Sequence, residues 1–264
     1  MTKKLVPINP FHSIGHKILS TAQGTGEMIA LLLETVYYCK EAPRNLSSIY
    51  RQVNDIGIGT LPIAMLMSLF VGMVLSLQTG SELAMYGSQE AIGAIVGLSM
   101  VRELGPVMTS LLVAGRIGSA MAAEVGAMQV YEEIDALKTL EINPVRYLAM
   151  PRLIACLLSV PALVVFAVFI GVIGGGVVAE VNPKINVPFS VYYDNMIRAL
   201  SYKEVLKGLL KALVFGGIIA QVGCYVGFKT KGGARGIGES TTRSVVLSFL
   251  LIMFANYLLT RFMI

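Results

Sequence analysis

Residues 153–179 read LIACLLSVPALVVFAVFIGVIGGGVVA, a run without a single Asp, Glu, Lys or Arg. A helix needs roughly 20 mostly apolar residues to cross the hydrocarbon core of a bilayer, so this run is long enough to span a membrane. Four other largely apolar segments flank it in the chain, at 56–81, 91–128, 205–228 and 244–260. The sequence therefore predicts an all-α, polytopic integral membrane protein with about five transmembrane helices.

The composition supports this fold class. Of the 264 residues, 55% are hydrophobic and 14% are charged, and the mean hydropathy is +0.71. A soluble domain of this size is less apolar and more charged. Five spans with short connections account for the length of the chain, so residues 1–264 are predicted to form a single domain. The net charge of +5 could indicate nucleic acid, but the basic residues lie between apolar runs, which indicates orientation in a membrane and no nucleic-acid partner.

The distribution of basic residues predicts a cytoplasmic N-terminus. Six of them precede the first span, whereas the connection after it, near Glu82 and Glu90, contains no Lys or Arg. Further along the chain, four basic residues disagree with this orientation: Lys184, Arg198, Lys203 and Lys207. Their connection also contains Tyr192, Tyr193 and Tyr202, which indicates a segment at the membrane interface.

Two further helices are predicted outside the spans. Residues 11–40 alternate apolar and charged positions in the manner of an interfacial helix. Residues 129–142 form an acidic amphipathic helix, with Ile134 and Leu137 on its apolar face and Glu132, Glu133 and Asp135 among its acids. Because anionic lipid would repel these acids, docking to a protein partner is favoured. A solvated loop helix is the alternative.

The sequence shows no set of residues for catalysis, metal binding or nucleotide binding. It contains no nucleophile paired with a base and no phosphate-binding GxxxxGK[ST] loop. His12 and His16 are four residues apart but have no Glu between them, so no metal site is expected. Cys39, Cys156 and Cys224 are far apart and are expected to be structural. No cofactor is therefore expected in this chain.

Ionisable residues inside a predicted span are the strongest candidates for function. Arg102 and Glu103 lie about a third of the way through the second span, where charge must be paired or hydrated. One hypothesis is structural pairing with Lys211 or Glu204. The other is a polar lipid cavity, in which Arg102 or Lys211 attracts a phosphate headgroup. On the first span, an apolar stripe either faces acyl chains or packs in the core: Leu66, Leu69, Phe70, Met73 and Leu77.

A set of motifs in fixed order resembles a known family. The motifs are RELGP at 102–106, AGR at 114–116, EVG at 124–126, EIDAL at 133–137 and NPVRYL at 143–148. Together they closely resemble the MlaE/YrbE permease family, and the resemblance covers roughly residues 11–260. The glycine pairs within the spans are less specific, because small residues allow close helix packing in many membrane proteins.

The resemblance implies a homodimeric permease of an ABC transporter in the cell inner membrane. Two cytoplasmic ATPase subunits would bind ATP and Mg, and an MCE-domain lipid-binding protein would lie on the other side. The cargo would be phospholipid or a related lipid, with a role in outer-membrane lipid asymmetry. The acidic helix would be the ATPase-coupling helix, with Glu132, Glu133, Ile134, Asp135 and Leu137 as candidate contacts. The rival functions are an intramembrane lipid-modifying enzyme and a secondary transporter.

Overall fold

The computed structural model describes residues 10–263, with side chains described at Leu19 and from Ala22 onward. Within this part of the chain, every regular element is helical. The α-helices are α1 Pro10–Tyr38, α2 Leu46–Val53, α3 Gly59–Met85, α4 Ile92–Ser99, α5 Gly105–Val113, α6 Ser119–Val130, α7 Glu133–Thr139, α8 Met150–Val181, α9 Phe189–Ala199, α10 Tyr202–Phe228 and α11 Gly233–Met263.

Five continuous helical stretches are long and apolar enough to cross a membrane. They are Ala22–Met85, Gln89–Val130, Val145–Val181, Tyr202–Phe228 and Gly233–Met263. Each predicted span lies within one of them, which confirms the all-α, polytopic fold. The helices extend beyond the apolar runs. Helix α11, for example, begins before the predicted span at 244–260 and contains Arg235 and Arg243.

Four short π-helical segments interrupt these stretches at Asn54–Ile58, Met100–Leu104, Ala114–Gly118 and Val145–Ala149. Three of them have a physical cause in a following proline: Pro62, Pro106 and Pro151. Proline has no backbone N–H, so the carbonyl four residues earlier loses its α-helical partner, and that carbonyl lies in the π-helical segment each time. For Pro106, the carbonyl concerned belongs to Arg102.

Helices α3 and α8 pack with their backbones in contact. The buried face of α3 is a row of small residues at four-residue spacing: Thr60, Ala64, Ser68, Gly72, Ser76 and Gly80. A Cβ added at Gly72 would overlap the carbonyl oxygen of Gly171 on α8. The Ser76 hydroxyl donates a hydrogen bond of 2.7 Å to the carbonyl of Gly175. Small residues thus bring the first and third spans together, as is common between transmembrane helices.

The two ends of the bundle carry different short helices. Successive spans alternate in direction, so α7 and the 229–232 connection lie at one end, which we call the α7 end. The connection around residues 86–88, helix α9 and Met263 lie at the other, the α9 end. Helix α9 packs against α4, where a Cβ at Gly93 would overlap the backbone of Tyr192. The Tyr192 side chain is fully buried.

Candidate functional site

A partly buried hydrogen-bond network joins three spans near the α9 end. The Lys211 ammonium on α10 donates to Glu103 Oε1 at 2.5 Å, to the Arg102 carbonyl at 3.1 Å and to Thr260 Oγ1 at 2.8 Å. Asn256 on α11 donates to the second Glu103 oxygen at 3.0 Å. Lys211 is only 3% exposed, whereas the Glu103 side chain is 37% exposed, so this network pairs a buried ammonium with a carboxylate that remains partly accessible.

Arg102 forms a separate and more accessible pair. Its guanidinium Nε lies 2.5 Å from Glu204 Oε2, and the Lys207 ammonium approaches the other Glu204 oxygen at 3.5 Å. The Arg102 side chain is 49% exposed, whereas that of Glu204 is 12% exposed. The sequence suggested Lys211 and Glu204 as ion-pair partners for Arg102 and Glu103. In the structure Glu204 pairs with Arg102, and Lys211 pairs with Glu103.

Four of these charged residues line a cavity of about 390 Å³. It is lined by Arg102, Glu103, Lys207, Lys211, Thr260 and Met263. Lys211 and Glu103 neutralise each other, while Arg102 and Lys207 share the single carboxylate of Glu204. The cavity therefore offers an excess of positive charge next to membrane-spanning surface. Such a site can accept an anionic group through charge-assisted hydrogen bonds.

The apolar stripe predicted on the first span lies apart from this cavity. Leu66, Phe70 and Leu77 are on the outer surface of α3 and are 56%, 55% and 40% exposed. Leu69 and Met73 are partly buried and pack beside Gly174 of α8. Within one chain, none of the five contributes to the cavity that Arg102 lines.

Helix α7 presents its acids outward and its apolar side chains inward. Ile134 is 2% exposed and packs with Val125 and Leu148, and Leu137 lies against the same cluster. Glu132, Glu133 and Asp135 are exposed. Of the five candidate coupling residues, Ile134 and Leu137 therefore anchor the helix to the bundle, and the three acids face away from it. A partner would meet the acids.

Contacts from the N-terminal helix to the α7 end were not predicted from the sequence. Asn143 donates hydrogen bonds of 3.0 Å to both Glu34 Oε1 and the Tyr38 hydroxyl of α1. Lys229 pairs with Glu27, and this carboxylate raises the pKa of Lys229 above its ordinary value. These partners are over 100 residues apart, so no local pattern could reveal them. The Asn143 side chain also caps the start of the third span, since the backbone N–H of Val145 donates to its Oδ1 at 2.8 Å.

Among the described side chains, no group of three or more His, Cys, Asp or Glu could hold a metal ion. The side chains of His12 and His16 lie outside the described part of the chain. Cys156 and Cys224 are buried and Cys39 is partly buried, all three as free thiols.

Comparison with known proteins identifies the family. The profile of the family described as Permease MlaE matches residues 49–262. A probable ABC transporter permease protein of Rickettsia felis is 38% identical over 96% of this chain and 97% of its own length. A second, from Synechocystis, is 42% identical over 82% of this chain and 81% of its own length.

A plant protein is also similar. The chloroplastic protein TRIGALACTOSYLDIACYLGLYCEROL 1 of Arabidopsis thaliana is 38% identical over 80% of this chain and 60% of its own length. The profile match covers most of the chain, including the Arg102 network and helix α7. The chain therefore belongs to the MlaE permease family, and it is a multi-pass membrane subunit for transport rather than an enzyme.

Proposed function

We propose that this chain is the permease subunit of an ABC transporter that moves phospholipid or a related lipid. It would exchange lipid between the inner membrane and a periplasmic MCE-type carrier, driven by ATP hydrolysis in a separate subunit. The permease family supports transport, and one relative is named after a glycolipid. Two copies of the chain would form the membrane-spanning part.

The observation that carries the lipid assignment is the position of Arg102 on its cavity. Its guanidinium is half exposed and is held by Glu204, which Lys207 also approaches. Glu204 accepts from Nε of the guanidinium. A phosphodiester headgroup can be a bidentate acceptor of the same group. The surrounding spans provide apolar surface for acyl chains. An amphipathic anion with a long apolar body matches both features.

Helix α7 supports the assignment of a separate ATPase. Its acidic residues face outward at the end of the bundle opposite the Arg102 cavity, while Ile134 holds it against the spans. Movement of a docked subunit would therefore be transmitted to the bundle through a buried contact. ATP and Mg would bind to that partner. We therefore propose that α7 and the N-terminus are cytoplasmic and that the Arg102 cavity lies toward the periplasm.

The proposal can be tested by reconstitution. The chain, its ATPase and a fluorescent phospholipid would be incorporated in proteoliposomes, with the soluble MCE domain outside them. ATP-dependent change in the amount of lipid on the MCE domain is the expected result, and an ATPase variant unable to hydrolyse ATP is the control. Lipid exchange that is identical with both ATPases would overturn the proposal.

A further inference from the structure

Three charged residues share one face near the start of α10. Glu204, Lys207 and Lys211 are three and four residues apart, so their side chains lie in a row along the helix. This row meets the second span at two adjacent residues, where Arg102 pairs with Glu204 and Glu103 pairs with Lys211. Of the three, Lys207 has no partner on another helix within the described part of the chain, and its ion pair is with Glu204.

Backbone contact holds the two helices in this register. A Cβ at Gly208 of α10 would overlap the carbonyl oxygen of Val101 on the second span, so the helices touch there without intervening side chains. Gly208 directly follows Lys207, and Val101 directly precedes Arg102. The contact therefore fixes the separation of α10 and the second span at the level of the ion pairs.

Glu204 holds two cations of the Arg102 cavity but does not line the cavity itself. Its Oε2 accepts from Arg102 Nε at 2.5 Å, and its Oε1 lies 3.5 Å from the Lys207 ammonium. Arg102 and Lys207 belong to the cavity lining, whereas Glu204 does not. Glu204 lies in the first turn of α10, where the helix dipole also favours a carboxylate. Both cations are therefore held from outside the cavity lining.

The Arg102 guanidinium keeps one edge for another acceptor. Among the described residues, its side chain makes a single hydrogen bond, through Nε. The N–H groups of both terminal nitrogens remain, and this edge of a guanidinium fits two oxygens of one phosphate. The Lys207 side chain is 35% exposed and can contact the same phosphate as a point charge. Lys203, one turn earlier, is exposed and does not line the cavity, so solvent and salt screen its charge.

The charge balance of the site distinguishes two kinds of phosphate. Lys211 and Glu103 cancel, and the cations Arg102 and Lys207 against the carboxylate of Glu204 leave a net charge of +1. A phosphodiester has one negative charge and neutralises this site. A phosphomonoester carries about −1.5 to −2 at pH 7, which leaves negative charge without a partner. The site is therefore matched to a phosphodiester.

We propose that Glu204 is a specificity-determining residue of the Arg102 cavity. It orients Arg102 and Lys207 and limits the site to one net positive charge, so that the cavity accepts phosphodiester lipids in preference to phosphomonoester lipids such as phosphatidic acid. This inference rests on the proposed function as a lipid permease. It adds a positioning residue behind the headgroup site and a choice between two classes of lipid that both have acyl chains and a phosphate.

Competition between lipids tests the proposal. The full-length protein in nanodiscs would be labelled with a photoreactive phosphatidylcholine, while phosphatidylglycerol or phosphatidic acid competes. Counting only the labelling that Arg102→Ala removes restricts the readout to the cavity. The measured quantity is the ratio of the two competitor affinities. Glu239→Gln is the matched control, because Glu239 also accepts from an arginine Nε, that of Arg235 at 3.0 Å, but is 68% exposed at the α7 end.

Glu204→Gln should shift the affinity ratio toward phosphatidic acid by about fivefold, because the site gains one net positive charge. Glu204→Asp keeps the charge and should keep the parent ratio, as should Glu239→Gln. Lys207→Gln should shift the ratio by a similar factor in the opposite direction. Combining Glu204→Gln with Lys207→Gln restores the net charge of +1, so the ratio should return to that of the parent, although both lipids bind more weakly because Arg102 is no longer held.

An unchanged ratio in Glu204→Gln would overturn the proposal and leave the proposed function intact. If size-exclusion chromatography shows that Glu204→Gln does not fold, Lys207→Gln decides, and an unchanged ratio in that variant has the same meaning. A double variant that keeps the shift of Glu204→Gln would also refute the role of net charge. Failure of both lipids to compete in the parent protein would instead overturn the lipid assignment of the cavity, and this inference with it.

Discussion

The Lys211 ammonium lies 3.1 Å from the backbone carbonyl oxygen of Arg102, which it contacts from a different helix. In a regular α-helix this carbonyl would accept the N–H of residue 106, but residue 106 is proline. Lys211 thus compensates a backbone defect and the Glu103 carboxylate at once. These contacts favour a structural role for Lys211, whereas the Arg102 side chain is 49% exposed and accessible from the cavity.

Removing the Lys211 charge should destabilise the protein. Lys211→Met leaves the Glu103 carboxylate with Asn256 and Thr260 as donors and removes a donor from the Arg102 carbonyl. Because the Glu103 side chain is 37% exposed, the cost should be about 1–3 kcal/mol, below that of breaking a fully buried pair. The thermal unfolding midpoint in detergent measures the loss. Adding Glu103→Gln should recover part of it, since no charge is then left uncompensated. A double variant less stable than Lys211→Met would contradict this account.

Arg102→Ala should leave the fold intact but weaken lipid binding. The side chain is half exposed, and Glu204 retains Lys207 at 3.5 Å, so the pair contributes only about 1 kcal/mol or less. A photoreactive phospholipid should label the variant several-fold less than the parent. Arg235→Ala is the control, because the Arg235 side chain is 90% exposed at the α7 end. Full labelling of a folded Arg102→Ala protein would refute a headgroup role for Arg102.

Charge reversal on α7 should separate docking from folding. Glu133→Lys changes an exposed acid and should leave thermal stability unchanged while it lowers association with the ATPase in a pull-down. Ile134→Asp places a carboxylate at a position that is 2% exposed and should destabilise the α7 end by ~3 kcal/mol. Unchanged ATPase binding by Glu133→Lys would indicate that α7 is only a solvated connection.

The close contact between α3 and α8 predicts opposite effects at two glycines. Gly72→Ala forces a methyl group into the Gly171 carbonyl and should destabilise the protein by about 1–3 kcal/mol. Gly115→Ala is the matched control, because a Cβ there has no neighbour within 4 Å. It should be neutral or slightly stabilising. Thermal unfolding of both variants in detergent compares them directly, and equal unfolding midpoints would argue against backbone contact at Gly72.

The direction of the spans predicts the accessibility of single cysteines. With Cys39 replaced by Ala, Ser88→Cys at the α9 end and Lys138→Cys at the α7 end should react with an impermeant maleimide from opposite sides of the membrane. Cys156 and Cys224 are buried and should not react. Labelling of both introduced cysteines from one side would require a different number of spans between them.

The sequence predicted the fold well because uncharged runs as long as 153–179 have few alternatives to a transmembrane helix. It also identified Lys211 and Glu204 as partners, since charge within a span must be compensated. It could not decide which residue pairs with which, because that depends on the meeting of three helices. Nor could it orient the Leu66 stripe, because lipid solvates an apolar side chain as well as a protein interior does. On α3, small residues form the packing face instead.

The π-helical segments at Met100–Leu104 and Ala114–Gly118 divide the second span into three α-helical pieces, α4, α5 and α6. A wide turn adds about one residue to the helical repeat, which rotates everything beyond it by roughly 100° about the axis. Helix α4 can therefore face α9, α5 can face α8 and α10, and α6 can face α10 and α11, all within one continuous crossing. In an uninterrupted α-helix the residues beyond each segment would point about 100° away from their present directions, so different side chains would meet these neighbours.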